Sequence, residues 1–312
     1  MKKFELTTEF ITNAFGKKLF RIKALVEFGD VKAGELGGYV EKEGNVSQAG
    51  NAWVYGNARV SGDARVSGNA WVYGNAWVYG DARVYGDARV YGDAEVYGDA
   101  WVSGDARVYG DAWVSDNAWV YGNARVYGNA WVYGDARVSG NAWVSGNARV
   151  YGDARVYGDA RVYGDARVSG DARVYGDARV YGDARVYGDA EVYGDAWVSG
   201  DARVYGDAEV YGNAEVSGNA EVYGDARVCG NAWVYGNADY ALVQGFGTEF
   251  RCTTFYRGKN KKIMVNCGCF HGDLEGFRKQ VKETRNGKIA KEYLMIADLM
   301  EYHFTSEDSS DE

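Results

Sequence analysis

Few residues in this chain could do chemistry, and they are unevenly placed. Among 312 residues there are two histidines, His271 and His303, and four cysteines. Cys267, Cys269 and His271 alternate, which on one strand turns them to the same side, with Cys252 opposite across a hairpin. Soft ligands of this kind suit zinc, but a Cys-x2-Cys knuckle is missing. The set is a weak metal candidate, and reduced core cysteines are the simpler expectation. The larger reservoir is aromatic, with 10 Trp and 26 Tyr. Tyr, Trp and Arg are enriched in binding hot spots, and a belt of exposed indoles could stack on sugar rings or on a partner protein. The best local group for that role is Trp101, Trp113, Trp119, Trp131 and Trp143.

The elements that carry these residues are set by one repeat. From Gly50 to Tyr235 the chain reads Gly-(Asp/Asn)-Ala-x-Val-(Tyr/Ser) as 31 hexads without an insertion. Ala and Val hold their places in all 31, Gly opens all but the one begun by Asp116, and Cys229 once replaces Tyr/Ser. Side chains of an extended segment alternate sides, so Ala and Val share one face while x and Tyr/Ser share the other. Gly followed by Asp or Asn then bends the chain. A helix would need apolar residues at i, i+3 and i+4 and would lose about 1 kcal/mol at each internal Gly. The fold class is therefore all-β, a solenoid with small apolar residues inside.

Read as Val-(Tyr/Ser)-Gly-(Asp/Asn)-Ala-x, the hexad resembles the repeat of hexapeptide-repeat left-handed β-helix proteins, an aliphatic residue followed four positions later by a small one. The resemblance covers Gly50 to Tyr235. It implies a left-handed parallel β-helix in which three hexads close a triangular coil of 18 residues, giving about ten coils. A flattened solenoid with 12 residues per coil is the alternative. Many proteins of this family are acyltransferases with a coil-borne His base and a pantetheine-bearing donor, and others are zinc carbonic anhydrases with three His ligands. Here both histidines lie outside the repeat and no loop interrupts it, so the family mechanism lacks its base. The segment Gly29-Asp30-Val31-Lys32-Ala33-Gly34-Glu35-Leu36-Gly37-Gly38-Tyr39-Val40 looks like the opening of uncharacterised bacterial and prophage members labelled transferases or polymer-forming cytoskeletal proteins. That implies kinship without mechanism.

With an 18-residue coil, outward residues 18 apart sit above one another. Trp53, Trp71 and Arg89 begin one column, Arg59, Trp77 and Glu95 a second, and Arg65, Arg83 and Trp101 a third. Such rungs can stabilise the solenoid itself through aromatic and cation–π contacts. The run Arg149, Arg155, Arg161, Arg167, Arg173, Arg179 and Arg185 suggests a phosphate-binding band, but the Asp corners beside it offset its field. Calcium solenoids use a nine-residue Gly-Gly-x-Gly-x-Asp pattern that is absent.

The expected organisation is an N-terminal β cap over 1–43, the β-helix over 44–240, a hairpin and two helices over 241–304, and an acidic tail over 305–312. In the cap, Leu19 to Phe28 reads as a strand. Beyond Tyr240, Phe250 to Arg257 and Lys262 to Phe270 read as a hairpin across Gly258-Lys259-Asn260. Asp273 then N-caps a helix presenting Leu274, Phe277 and Val281, followed by a second with Ile289, Tyr293, Ile296 and Met300. Charge is 35 basic against 44 acidic, net −9, which excludes a specific nucleic-acid surface. The start lacks the apolar run of a secretory signal, no stretch is long enough to span a membrane, and four cysteines make no disulfide framework. A cytoplasmic setting follows, with a phage particle as the other. The expected function is a non-catalytic structural or interaction scaffold, with no cofactor. One alternative is a module binding a polysaccharide or protein partner through its Trp/Tyr rungs, and a second is an acyltransferase-like enzyme. The chain would be a monomer or a side-by-side homo-oligomer.

Overall fold

A computed structural model describes residues 2–247, 251–259 and 261–305. The chain divides into two units, Met1–Asp171 and Ala172–Glu312.

In the first unit the hexad alternation acts as expected, with its Ala and Val side chains fully buried. Each hexad contributes a two-residue strand, from Trp53–Val54 to Arg167–Val168. Within the unit strands pair in parallel with those 18 residues on, as in Trp53 with Trp71, Trp113 with Trp131 and Arg149 with Arg167. A coil therefore has three sides, and the 12-residue alternative is excluded, because it would pair residues 12 apart. Corners need the left-handed backbone that glycine adopts freely. At Gly128, φ is +69° and an added Cβ would lie 3.1 Å from the Gly146 nitrogen. Asp116 meets the same demand at φ 56°, and its Oδ2 accepts from the Gly134 N–H at 3.2 Å.

Rung hydrogen bonds alternate in direction, as a parallel ladder requires. Arg107 N–H donates to the Ala124 carbonyl at 2.9 Å and Tyr109 N–H to that of Val126 at 3.0 Å, while the parallel register of Val108 with Val126 has the Val126 N–H donate back to the Arg107 carbonyl between them. The first coil is consequently left with open carbonyls, which cannot stay buried and unpaired. Each of its three sides is served differently. The Lys3 ammonium donates to Ala52 O at 2.9 Å and Gly50 O at 3.3 Å. Backbone N–H groups of Tyr39 and Glu41 donate to Ala58 and Val60. The Asn45 amide donates to Ala64 O at 2.9 Å and Gly62 O at 3.1 Å.

Lys3 precedes the strand Phe4–Thr12, Tyr39 and Glu41 lie in and just after the strand Leu36–Val40, Asn45 ends the 3-10 turn Glu43–Asn45, and a strand Lys18–Ala24 stands between the other two. In chain order the first two strands and the last two pair antiparallel, and Leu36–Val40 then runs parallel to Arg59–Val60. Winding thus begins at Leu36, inside the stretch expected to be cap alone, and Val46 already bridges Val66. For this reason the two units together hold about eleven coils, one more than expected. The strand expected over Leu19 to Phe28 stops at Ala24. A register shift buries Leu19 with Ile22 in place of Phe20, and Phe28 turns back to lie edge-on against Trp53.

In the second unit, strands Arg173–Val174 to Trp233–Val234 repeat the pattern. They lead into an antiparallel sheet of Tyr240–Phe246, Arg251–Arg257, Ile263–Cys267 and Phe270–Asp273, in that order. The expected single hairpin is thus flanked by two further strands. Its turn includes Asn260, which lies outside the described residues, as do Phe250 and 306–312 of the acidic tail. Helices α1 (Leu274–Thr284) and α2 (Gly287–Thr305) cover the sheet. Asp273 caps α1, accepting from Gly276 N–H at 2.9 Å. Phe255, Val265, Leu274, Phe277, Val281, Tyr293, Ile296 and Met300 form the core between them. At this end the open groups include N–H, and acceptors meet them. Thr254 Oγ1 takes Arg227 N–H at 2.9 Å, and Asn237 Oδ1 takes that of Glu221 at 2.8 Å. Among the described residues no helix is long and apolar enough to cross a membrane.

Candidate functional site

The outward columns form as the 18-residue spacing dictates, and they lock together within the chain. In the first unit, Trp101 and Trp119 stack with centroids 4.9 Å apart and planes parallel at 0°. Arg83 lies 5.0 Å from the Trp101 ring centre and Arg137 5.2 Å from that of Trp119. The column thus reads Arg–Trp–Trp–Arg, with each indole face occupied. On another side Trp113 and Trp131 stack at 4.9 Å and 7°, Arg149 covers Trp131, and Tyr97 meets Trp113 edge-on. Trp143, on the third side, is held between Arg125 at 5.1 Å and Arg161 at 4.9 Å. The five tryptophans therefore do not form one belt. They occupy three sides and present ring edges to solvent, because a rung separation close to the aromatic stacking distance aligns each ring with its neighbours along the column. Trp53, also at an outward position, is fully buried beneath Phe4 and Phe28.

Tyrosines build parallel columns. Tyr73, Tyr91, Tyr109 and Tyr127 stack in succession at 4.7, 4.8 and 4.9 Å. Glutamates are tied in by an arrangement that reading the columns alone misses. The Tyr79 hydroxyl donates to Glu95 at 3.1 Å, from a residue 16 positions earlier. In the second unit Tyr175 does the same to Glu191 at 2.9 Å while Arg173 reaches the other carboxylate oxygen at 2.9 Å. Tyr205 and Arg203 hold Glu221 in the same way. Burial, aided by the Glu95 carboxylate, pushes the Tyr79 phenol well above its usual range, and burial with Glu209 does so for Tyr193. The signal was present in the sequence as Tyr at i with Glu at i+16.

Corner residues are likewise paired from coil to coil. Asn69 donates to Asp87 and Asn75 to Asp93, both at 3.1 Å. The arginine run is engaged with rings and carboxylates, Arg149 and Arg161 on indoles and Arg173 on Glu191. Its expected partners, the Asp corners, are not the groups that hold these three.

The sulfur-rich set is dispersed. Cys267 pairs with Phe270 and Asn266 with His271 across a tight turn at Gly268-Cys269, so Cys267 and His271 lie on different strands with side chains on opposite faces. The single alternating strand expected there is broken by Gly268 at φ 60°. Cys267 packs toward the helix-covered core. His271 Nδ1 instead lies 3.3 Å from Cys229 Sγ and 3.3 Å from the Tyr256 hydroxyl. Cys252 and Cys269 line a cleft of about 520 Å³ with Asp225, Arg227, Thr254 and Asn266. Burial raises the Cys252 thiol to about 11, which disfavours the thiolate a metal needs. Among the described residues no group of three or more His, Cys, Asp or Glu is placed to hold a metal ion.

Coils of 18 residues, an Ala/Val interior and self-paired outer columns define a β-solenoid repeat protein. The family model described as the YdcK β-solenoid repeat matches in overlapping copies that cover 52–116, 118–200 and 220–236. These matches span more than half of the chain, which belongs to that family. No curated protein matches it.

Proposed function

We propose that the protein is a non-catalytic structural or interaction scaffold. The observation that supports this reading best is the saturation of the Trp101–Trp119 column, in which Arg83 and Arg137 take the ring faces that a sugar would stack upon. The same holds for Trp143 between Arg125 and Arg161. Residues that look adhesive in sequence serve the solenoid's own cohesion. A glycan array tests this directly. The scaffold reading expects no binding, whereas binding that disappears in a Trp113→Ala/Trp131→Ala variant would overturn it in favour of a carbohydrate module. Micromolar binding of acetyl-CoA, followed by calorimetry, would instead support the acyltransferase-like alternative.

A second reading, a module for a protein partner, is favoured by one feature. A groove of about 360 Å³ runs beside the Trp101–Trp119 ring edges, with Asp99, Asn117 and Asp135 among its lining residues. Edges and carboxylates suit a polar peptide better than a sugar face.

A further inference from the structure

Where the last coil meets the antiparallel sheet, three polar groups converge on one sulfur. Cys229 takes a hexad position that elsewhere holds Tyr or Ser, and it is buried. Strands Arg251–Arg257, Ile263–Cys267 and Phe270–Asp273 bring Tyr256, Asn266 and His271 to it. Cys229 Sγ lies 3.4 Å from the Tyr256 hydroxyl, 3.3 Å from His271 Nδ1 and 3.5 Å from Asn266 Nδ2. The Tyr256 hydroxyl is itself 3.3 Å from His271 Nδ1. Sulfur, oxygen and nitrogen therefore stand at the corners of a nearly equilateral triangle.

Hydrogen bonding alone does not account for that triangle. Thiol and phenol carry one proton each, and Nδ1 either donates or accepts. Whichever tautomer is chosen, one of the three edges is left without a proton of its own. A cation among the three atoms would engage all of them. The centre of such a triangle is about 1.9 Å from each corner, so an ion slightly above the plane reaches the roughly 2.0–2.3 Å of zinc bonds to nitrogen, oxygen and sulfur. Tetrahedral bonds of that length set neighbouring ligands about 3.3–3.6 Å apart, which matches the spacing here.

Asn266 offers a fourth donor. Turning its amide over presents the carbonyl oxygen to the same point, and the Tyr211 hydroxyl at 3.3 Å can donate or accept, so it serves either end of the amide. His271 is exposed and Asn266 also lines the cleft beside Cys252 and Cys269, which gives an ion a route inward. The His271 ring rests against a corner, since a Cβ added at Gly230 would lie 3.0 Å from its Nε2. Burial raises the Tyr256 phenol above its usual range, so Tyr256 supplies a neutral oxygen and Cys229 the charge.

We propose that Cys229, His271 and Tyr256, with Asn266 as the fourth donor, form a zinc site between the last coil and the terminal sheet. Of the residues that sequence alone suggested for a metal, it keeps only His271. Two of its ligands are oxygen donors, one from Tyr and one from Asn. The tryptophan columns take no part, so its fate and that of the scaffold reading are separable.

The full chain, stripped with EDTA under reducing conditions and titrated with zinc or with cobalt as its coloured substitute, tests the proposal. The expected result is one equivalent bound with a Kd of about 1 μM or tighter, and a tetrahedral cobalt spectrum with a sulfur-to-metal charge-transfer band. Cys229→Ser, a residue the repeat itself uses at this position, should remove that band and weaken zinc binding at least tenfold. His271→Ala should weaken it as much, Tyr256→Phe less, and Cys252→Ser/Cys267→Ser/Cys269→Ser not at all. Zinc should raise the thermal midpoint of the unmutated chain and leave that of Cys229→Ser in place. No binding at about 100 μM zinc, a cobalt spectrum without the sulfur band, or an affinity that survives Cys229→Ser overturns it. So does an affinity lost in the triple cysteine variant, because the cleft cysteines would then be the ligands.

Discussion

An indole at an outward position gains its neighbours from the coils before and after it, which turns a surface residue into a rung. Replacing Trp119 by Ala removes the stack on Trp101 and the Arg137 contact. With such contacts at about 0.5–1.5 kcal/mol each, the loss should be roughly 1–2 kcal/mol, read as a lower urea midpoint. Trp119→Arg, which the repeat itself uses elsewhere in that column, should recover most of the stability. An equal loss in both variants would mean that stacking is not the cause.

Lys3 gives a second test at this scale. Its ammonium is buried against Gly50 and Ala52 carbonyls and the Phe28 ring, and burial lowers its pKa from 10.5 to about 8. Between those values the unfolded chain still holds a proton that the folded chain has released, so stability rises with pH across that window. Lys3→Met should flatten the rise. Above pH 10 the sign reverses. Tyr55, raised by burial to about 12, keeps its proton in the fold while the unfolded chain loses it, and stability should fall. Thermal midpoints from pH 7 to 11 would follow both limbs.

Among the elements, corners are the least forgiving. Gly128→Ala forces a Cβ into the left-handed region and toward the Gly146 backbone, at a cost of about 1–2 kcal/mol or more. Asp116→Gly runs the other way. It relieves φ 56° but gives up the Gly134 bond, and should stabilise by no more than about 1 kcal/mol. Chemical denaturation of the two variants should move the midpoint in opposite directions.

Elements governed by repetition were legible from sequence because one local rule is obeyed in every hexad. The alternation at Ala52 and Val54 sets the interior, and the spacing of Trp101 and Trp119 sets the columns. What escaped depends on non-local pairing. Nothing near Phe4–Thr12 announces that it completes a sheet, and Lys3 reads as an ordinary surface lysine until the open carbonyl of Ala52 is known. Cys267 and His271 share a strand by alternation alone, and only the turn at Gly268-Cys269 separates them. The candidate tryptophans were found correctly as rungs, but ring orientation, which decides whether they can bind, comes from the rung separation and the arginines above and below.

For the molecule as a whole, coils are modular and the ends are specific. Deleting 105–122 removes one full coil and returns Asn123 to the register of Asp105, so Trp101 would meet Arg137 in place of Trp119. This variant should remain folded and monodisperse, with unchanged ellipticity per residue, as quasi-one-dimensional stacking predicts. Removing 1–49 has the opposite character. It strips Lys3 and Asn45 from the carbonyls they satisfy, and light scattering should show growing oligomers.

That growth would have a direction. Because every strand pairs in parallel at an 18-residue step, a bare stretch of repeats has unlike ends, one offering the Ala and Val carbonyls and the other the N–H groups of the outward and Tyr/Ser positions. Joining unlike ends continues the parallel register, and joining like ends does not. Fibres seeded from such fragments would be vectorial, like an arrow with unequal tips, and the two tips should elongate at different speeds under a microscope.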